Sequence, residues 1–96
     1  MNKKDIISIE RICSAYKVPN EFIDELIEFE LIDAFDIDRQ RFVSESVLPD
    51  IEKMINMRYE LNINMEGISV IHNLLQRIEE MDEEIRMLRN RLRRYE

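Results

Sequence analysis

The most distinctive chemistry of this chain lies in residues 20–31 (NEFIDELIEFEL), which carry five carboxylates and no lysine or arginine. The five are Glu21, Asp24, Glu25, Glu28 and Glu30. Because residues three and four apart share a helix face, at least three of the first four are expected on one surface. Such a surface attracts cationic partners and repels phosphate. A solvated helix face without any partner is the alternative interpretation.

An aromatic residue accompanies these acids. Phe29 falls outside the apolar stripe of the segment, so we expect it to be an exposed apolar anchor among the carboxylates. Aromatic side chains ringed by polar ones are common at the centre of protein interfaces. The candidate partner-binding residues are therefore Glu21, Asp24, Glu25, Glu28 and Phe29.

Other reactive side chains are few and isolated. His72 is the only histidine and has no second type of ligand near it, and the only cysteine, Cys13, falls on an apolar helix face. No nucleophile with a neighbouring base and no glycine-rich phosphate loop is present. The sequence therefore predicts a non-enzymatic protein without a metal or cofactor. A single cysteine also favours a reducing cytoplasm.

A second charge pattern lies near the end of the chain, where an acidic block (residues 79–84) is followed by a basic block (residues 86–94). Apolar residues recur through both blocks at heptad spacing, which predicts a coiled-coil helix. Two antiparallel copies crossing near Ile85 would place each acidic block beside the other copy's basic block, so we expect an antiparallel homodimer. The predicted interface is Ile71, Leu74, Ile78, Met81, Ile85, Leu88 and Leu92.

Two alternatives to this dimer stay open. The last helix could fold back on the third helix of its own chain. The arginines of residues 86–94 could instead contact nucleic acid, although the acidic block in the same helix favours a coiled-coil flank.

Composition predicts one small soluble domain with a protruding helix. The chain has 96 residues, one glycine, two prolines and a net charge of −7, and no apolar run long enough to span a membrane. Residues 1–60 hold 8 basic and 14 acidic side chains, so the predicted globular half carries most of the negative charge. This charge favours basic partners and argues against nucleic acid, and solubility alone is the alternative reason for it.

The elements that position these residues are mainly helical. A helix over residues 9–16 is capped by Ser8, and a short turn leads to the acidic helix, capped by Asn20. Residues 33–43 alternate and predict a hairpin or wing with its tip at residues 36–39. Ser44 or Ser46 caps a third helix, and Asn64 caps a long last helix. We predict a mainly all-α winged helix-turn-helix in residues 1–64, followed by a coiled-coil helix in residues 65–96.

This order of elements and three stretches of sequence resemble the MerR superfamily. The stretches are ISIERICSAYKVPNEFIDELIEFELI, RQRF and ELNINMEGISVIHNLLQRIEEM, and the resemblance covers about residues 6–88. Within the superfamily the chain is most similar to the chaperone-modulator branch, the CbpM-type proteins. That resemblance implies a bacterial protein that binds the J-domain of a DnaJ-like co-chaperone and restrains its stimulation of an Hsp70 chaperone.

The chain departs from the MerR pattern in two places. Glu30 stands where relatives usually have glycine before the two apolar residues that end the second helix, so a differently shaped helix end is expected. The recognition-helix arginines of DNA-binding members are absent, but Arg39 and Arg41 remain in the predicted wing as possible nucleic-acid contacts. A MerR-type transcriptional regulator, and an adaptor for some other basic partner, are therefore the rival predictions.

Overall fold

The computed structural model describes residues 5–95, which form four α-helices and one three-stranded sheet. In chain order the elements are β1 (Ile6–Ser8), α1 (Ile9–Tyr16), α2 (Asn20–Glu28), β2 (Phe35–Ile37), β3 (Gln40–Ser44), a 3-10 turn (Glu45–Val47), α3 (Leu48–Tyr59) and α4 (Met65–Arg94). The predicted mainly helical class, the wing and the long last helix are confirmed.

Helix α1 has the bounds that its cap and periodicity predict. The Ser8 hydroxyl accepts a hydrogen bond from the Arg11 backbone N–H (3.1 Å), and Ile9 and Ile12 are buried. Tyr16, at the far end of the same face, is largely exposed, and its hydroxyl donates to a Glu52 carboxylate oxygen (2.9 Å). The helix ends where Lys17 takes a left-handed backbone (φ 56°).

Helix α2 differs from its prediction at both ends. Pro19 is the N-cap residue and makes no side-chain capping bond, so the prediction that Asn20 caps this helix was wrong. The helix ends at Glu28 rather than at residue 31. Beyond it the Leu31 N–H donates to the Leu26 carbonyl (2.9 Å) and the Glu30 N–H to the Ile27 carbonyl (3.0 Å).

These two bonds form a Schellman motif, in which the residue just before the donor of the longer bond, here Leu31, has a left-handed backbone. That residue is Glu30, with a φ of 58°. The chain has glutamate where this geometry favours glycine, and the backbone nevertheless makes the same turn. The buried side chains of Leu26 and Leu31 supply the apolar contact that usually accompanies the motif.

The sheet forms the predicted wing and adds a strand to it. Strand β3 lies between β1 and β2 and is antiparallel to both. Ile37 pairs with Gln40, so the hairpin loop is the two residues Asp38 and Arg39. Both have positive φ (50° and 67°), as in a type I′ turn, although neither is glycine. The Phe35 and Phe42 rings stack across the two strands, with 6.4 Å between their centroids.

Helix α3 packs on the core through Ile51 and Met54, both fully buried. Ser44 caps the 3-10 turn that precedes it, accepting from the Ser46 N–H (3.3 Å), and Pro49 lies in the first turn of α3, where its missing N–H costs little. Tyr59 at the end of α3 is half exposed, and its ring lies 5.5 Å from that of Phe22 in α2.

Helix α4 begins in the core and then leaves it. The Asn64 side chain caps it as predicted, accepting from the Gly67 N–H (2.8 Å). Met65 and Ile68 are buried in the same core as the earlier helices. A Cβ atom at Gly67 would lie 2.7 Å from the Ile63 Cγ2 atom, so the only glycine of the chain permits a close approach here. From Leu74 to Leu92 every large apolar side chain on α4 is exposed.

Candidate protein-interaction site

Helix α2 presents an exposed row of carboxylates with no cation in the helix. Glu21, Glu25 and Glu28 are exposed and lie at positions i, i+4 and i+7, so they share one face, which we call the acidic face. The opposite side of α2 is apolar, with Phe22, Ile23 and Leu26 buried, and this burial fixes the orientation of the acids. The arrangement can attract a positively charged surface without any rearrangement of the domain.

Asp24 differs from these three residues because it has an internal partner. Its Oδ1 atom lies 2.7 Å from the Arg41 Nη1 atom of strand β3. The oxygen is shielded from solvent and accepts no well-aligned hydrogen bond, so the contact is an ion pair without hydrogen-bond geometry. Both side chains are a little under half exposed. Asp24, one of the predicted partner-binding residues, is therefore already engaged within the domain, because β3 brings an arginine beside it.

The two wing arginines consequently differ. Arg41 is directed toward α2 by Asp24, whereas Arg39 lies exposed in the hairpin turn and, within residues 5–95, forms no salt bridge. Between them Gln40 donates a hydrogen bond to the Glu10 carboxylate (3.3 Å). Of the two predicted nucleic-acid contacts, Arg39 alone keeps an unengaged guanidinium at the wing tip.

Phe29 does not stand as an exposed anchor. It is half-buried and packs against the core at the end of α2. Phe29 follows the buried residues Leu26 and Phe22 by three and seven positions, so helical spacing places its ring on the buried side of α2. The acidic face therefore consists of carboxylates without an aromatic centre.

The reactive residues Cys13 and His72 lie in different parts of the molecule. Among residues 5–95 no group of three or more histidine, cysteine, aspartate or glutamate side chains could hold a metal ion. Cys13 is half-buried, and burial raises the pKa of its thiol, with Arg41 lowering it and Asp24 and Glu21 raising it to smaller extents. His72 lines the wall of an open depression on another side of the molecule.

That depression is a feature that sequence reasoning missed. It has a volume of about 460 Å³ and carries the carboxylates of Glu30, Asp33 and Asp50 above apolar walls that include Leu31 and Phe35. Its residues come from the end of α2, the wing, α3 and α4, so no single stretch of sequence shows it. The only local signal is the pair of acids on either side of Leu31 and Ile32.

The predicted dimer interface lies on the part of α4 that leaves the core. Ile71 is half-buried, and the other six residues of the predicted interface are 47–64% exposed. Within residues 5–95 these side chains stay about half exposed, and α4 lies beside α3 only as far as Glu79. The alternative in which this helix folds back on α3 therefore holds for its first half. We call this apolar row the heptad stripe; its members are Ile71, Leu74, Ile78, Met81, Ile85, Leu88 and Leu92.

A comparison with known protein families places most of the chain in one of them. The family model described as MerR HTH family regulatory protein matches residues 7–90. No curated protein and no solved structure matches the chain significantly. Among the described residues, no helix is both long enough and apolar enough to cross a membrane.

Proposed function

This chain belongs to the MerR HTH family of regulatory proteins, and within that family we propose that it is a non-enzymatic chaperone modulator. In this proposal it binds the J-domain of a DnaJ-like co-chaperone in the bacterial cytoplasm and restrains the stimulation of an Hsp70 chaperone. The observation that carries the proposal is the acidic face of α2 (Glu21, Glu25 and Glu28), in the position where a DNA-binding helix-turn-helix protein would place its recognition helix.

The charge of this helix opposes DNA binding. Phosphate contacts by lysine and arginine supply most non-specific affinity for DNA. Helix α2 has four acids and no base, and the nearby Arg41 is held by Asp24. A duplex approaching this side would meet carboxylates over the full length of the helix. A basic protein surface would meet opposite charge over the same length.

The resemblance to CbpM-type proteins supports a J-domain as that basic surface. Members of that branch bind J-domains, which present a basic helix to Hsp70. An acidic helix lying against the same basic helix would compete with Hsp70 for it. The geometry of α2 suits this role because its carboxylates are already exposed and aligned.

We further propose that the functional unit is an antiparallel homodimer through the heptad stripe. An isolated helix with such a stripe would leave a row of large apolar side chains in water. The acidic and basic blocks of α4 are complementary only when two copies run in opposite directions.

Charge reversal on the acidic face tests the J-domain proposal. The triple variant Glu21→Lys/Glu25→Lys/Glu28→Lys should weaken binding to the purified J-domain by on the order of 100-fold, at about 1 kcal/mol for each lost charge contact. Isothermal titration calorimetry measures the affinity, and far-UV circular dichroism checks the fold. Asp24 is left unchanged, because its substitution would also disturb Arg41.

The control is Glu79→Lys/Glu80→Lys/Glu83→Lys, which makes the same change of net charge on the exposed side of α4. If both triple variants lose affinity equally, net charge rather than the acidic face is responsible. If neither loses affinity, the J-domain does not bind at α2.

DNA binding is the second candidate, because the family is one of helix-turn-helix regulators and Arg39 is exposed at the wing tip. A retarded band in a mobility-shift assay at low salt, removed by Arg39→Ala, would support a MerR-type transcriptional regulator. The absence of any shift at high protein concentration would eliminate it. Co-purification of a different basic protein in place of a DnaJ-like one would instead support an adaptor.

A further inference from the structure

The exposed half of α4 also bears on the register in which two copies would pair. Ile78, Ile85 and Leu88 are 56%, 47% and 57% exposed, so within the described residues these side chains have no apolar cover. If a second copy covers this surface, as proposed above, the charged residues beside the heptad stripe decide how far the two helices slide along each other.

The residues that flank the heptad stripe fall into two rows, one on each side of it, and most of them are charged. In heptad terms Ile71, Ile78, Ile85 and Leu92 are a positions, and the other members of the stripe are d positions. The row after each d position contains Leu75, Asp82 and Arg89, and the row before each a position contains Arg77, Glu84 and Arg91. In an antiparallel pair each a residue faces a d residue, and each row faces the same row of the other copy. Only shifts by whole heptads preserve this packing.

Each register can be named by the residue at the two-fold axis of the antiparallel pair. The register with Glu83 at this axis places like charges opposite each other. It sets Asp82 opposite Asp82 of the second copy and Glu84 opposite its own counterpart. It also sets Arg77 opposite Arg91 of the second copy, twice by symmetry. None of the facing charges are opposite in sign, so this register is disfavoured even though its apolar layers match.

The register shifted toward the C-terminus replaces these like-charge pairs by pairs of opposite charge and leaves Arg77 without a facing residue. Its centre lies between Arg86 and Met87, and it sets Asp82 opposite Arg89 and Glu84 opposite Arg91 of the second copy. Symmetry doubles both pairs. Its apolar layers join Ile78 to Tyr95, Met81 to Leu92 and Ile85 to Leu88, so apolar packing is retained.

The register shifted toward the N-terminus is less favourable. Its facing charges form one type of opposite-charge pair, Arg77 with Glu84 of the second copy. It also places Leu92 opposite Gly67, which has no side chain to fill the layer and already packs closely on Ile63. Leu92 would then approach the globular domain of the second copy.

We propose that the chain dimerises in the register centred between Arg86 and Met87, with Asp82, Glu84, Arg89 and Arg91 as the residues that select it. The inference rests on the proposed homodimer and specifies its geometry. The coil then covers the heptad stripe from Ile78 onward. Ile71 and Leu74 lie outside it, and the two globular domains are held apart.

Spin-label distances test the register. A label is attached to the cysteine of Asn90→Cys in one variant and of Gln76→Cys in another, both in a Cys13→Ser background. Both residues occupy the heptad position opposite the heptad stripe. At about 1.5 Å of rise per residue, the proposed register separates the two Asn90 labels by about 10 Å along the axis and the two Gln76 labels by about 30 Å. The N-terminal register reverses the two values, and the central register gives about 20 Å for both.

Charge exchange tests the selecting residues. Asp82→Arg/Glu84→Arg and Arg89→Glu/Arg91→Glu should each dimerise at least tenfold more weakly than the natural chain. A mixture of the two should form heterodimers, and the fourfold variant in one chain should recover the homodimer. The control, Glu80→Arg/Glu83→Arg, has the same change of charge at positions that face away from the second copy and should dimerise normally.

The outcomes separate the register from the dimer. Sedimentation equilibrium showing a monomer at tens of micromolar would overturn the homodimer itself. A stable dimer with equal label distances, or with the Gln76 labels the closer pair, would overturn only the register. Dimerisation that does not change with the charge exchange would show that these four residues do not select it.

Discussion

Glu30 is the residue at which sequence and backbone disagree most clearly. A non-glycine residue in the left-handed region carries a steric cost of about 1–2 kcal/mol, and Glu30 has a φ of 58°. The hydrogen bonds of the Schellman motif and the burial of Leu31 hold it there. The departure from glycine therefore changes the energy of this helix end more than its shape.

Glu30→Gly should stabilise the protein by about 0.5–1 kcal/mol, because glycine adopts this backbone without a Cβ clash and the gain is partly offset by its greater freedom in the unfolded chain. Urea unfolding measures the change. Glu25→Gly, within the same helix, should destabilise by about 0.5–1 kcal/mol. Equal and opposite results at the two positions would establish the backbone origin; destabilisation at both would contradict it.

The pKa of the Cys13 thiol responds to the charges of Asp24 and Arg41. Burial raises the pKa of the thiol, Arg41 lowers it and Asp24 raises it. Arg41→Gln should therefore raise the pKa further and slow alkylation by iodoacetamide near pH 8, because less thiolate is present. Asp24→Asn should lower the pKa and speed the reaction.

The pH profile of the alkylation rate separates this effect from a change in access to the thiol. A shift of the midpoint to higher pH in one variant and to lower pH in the other is expected. A change in the maximal rate with an unshifted midpoint would contradict the electrostatic explanation. The raised pKa of Cys13 also makes the free energy of unfolding depend on pH. The contribution of this thiol to stability is fully present below the pKa of the unfolded thiol and is lost as pH rises through the pKa of the folded thiol.

The elements that the sequence predicts well are those with both a cap and a period. Ser8 and Asn64 mark the starts of α1 and α4, and apolar spacing carries each helix onward. The end of α2 and the hairpin turn were not located because Glu30, Asp38 and Arg39 take glycine-like backbones without being glycine. Tertiary packing, rather than local preference, determines these positions.

The candidate site was predictable to a similar extent. Helical spacing alone places Glu21, Glu25 and Glu28 on one face. The pairing of Asp24 with Arg41 depends on which side of β3 faces α2, and that register follows from the wing hairpin, whose turn carried no sequence signal. The inward position of Phe29 was also readable from the sequence, because this residue lies three positions after Leu26 and seven after Phe22, both buried.

At the scale of elements, α4 has two parts with different roles. Ile68 is fully buried, whereas Leu88 is 57% exposed. Leu88→Asp should leave the thermal unfolding of the globular domain intact and abolish the proposed dimer, as measured by sedimentation. Ile68→Asp should lower the free energy of unfolding by about 3 kcal/mol or more, since it places a carboxylate in the core. Similar unfolding of the two variants would mean that the exposed half of α4 is part of the core.

The molecule as a whole is elongated. Its radius of gyration is 16.9 Å and its extents are 56 × 35 × 20 Å, whereas a compact chain of similar length has a radius of gyration of about 12 Å. The projecting half of α4 accounts for the difference. The acidic globular part is thus separated in space from the basic end of the helix.

This separation predicts an association rate that depends on salt. The rate of binding to a basic J-domain should fall about tenfold between 20 and 300 mM NaCl, because screening weakens attraction between exposed charges. Stopped-flow fluorescence measures the rate. The Glu21→Lys/Glu25→Lys/Glu28→Lys variant should show a flat or reversed dependence. A salt-independent rate in the natural chain would argue against electrostatic attraction through α2.

Gly67 lies in the first turn of α4, where the helix is still packed in the core, close to Ile63. Helix α4 has 30 residues, which at about 1.5 Å each make an arm of roughly 45 Å. A tilt of about 10° at its root, such as an added methyl group could force, would swing the tip by roughly 8 Å. One absent side chain therefore sets the aim of the whole arm, and with it the angle between any two domains that the arm joins.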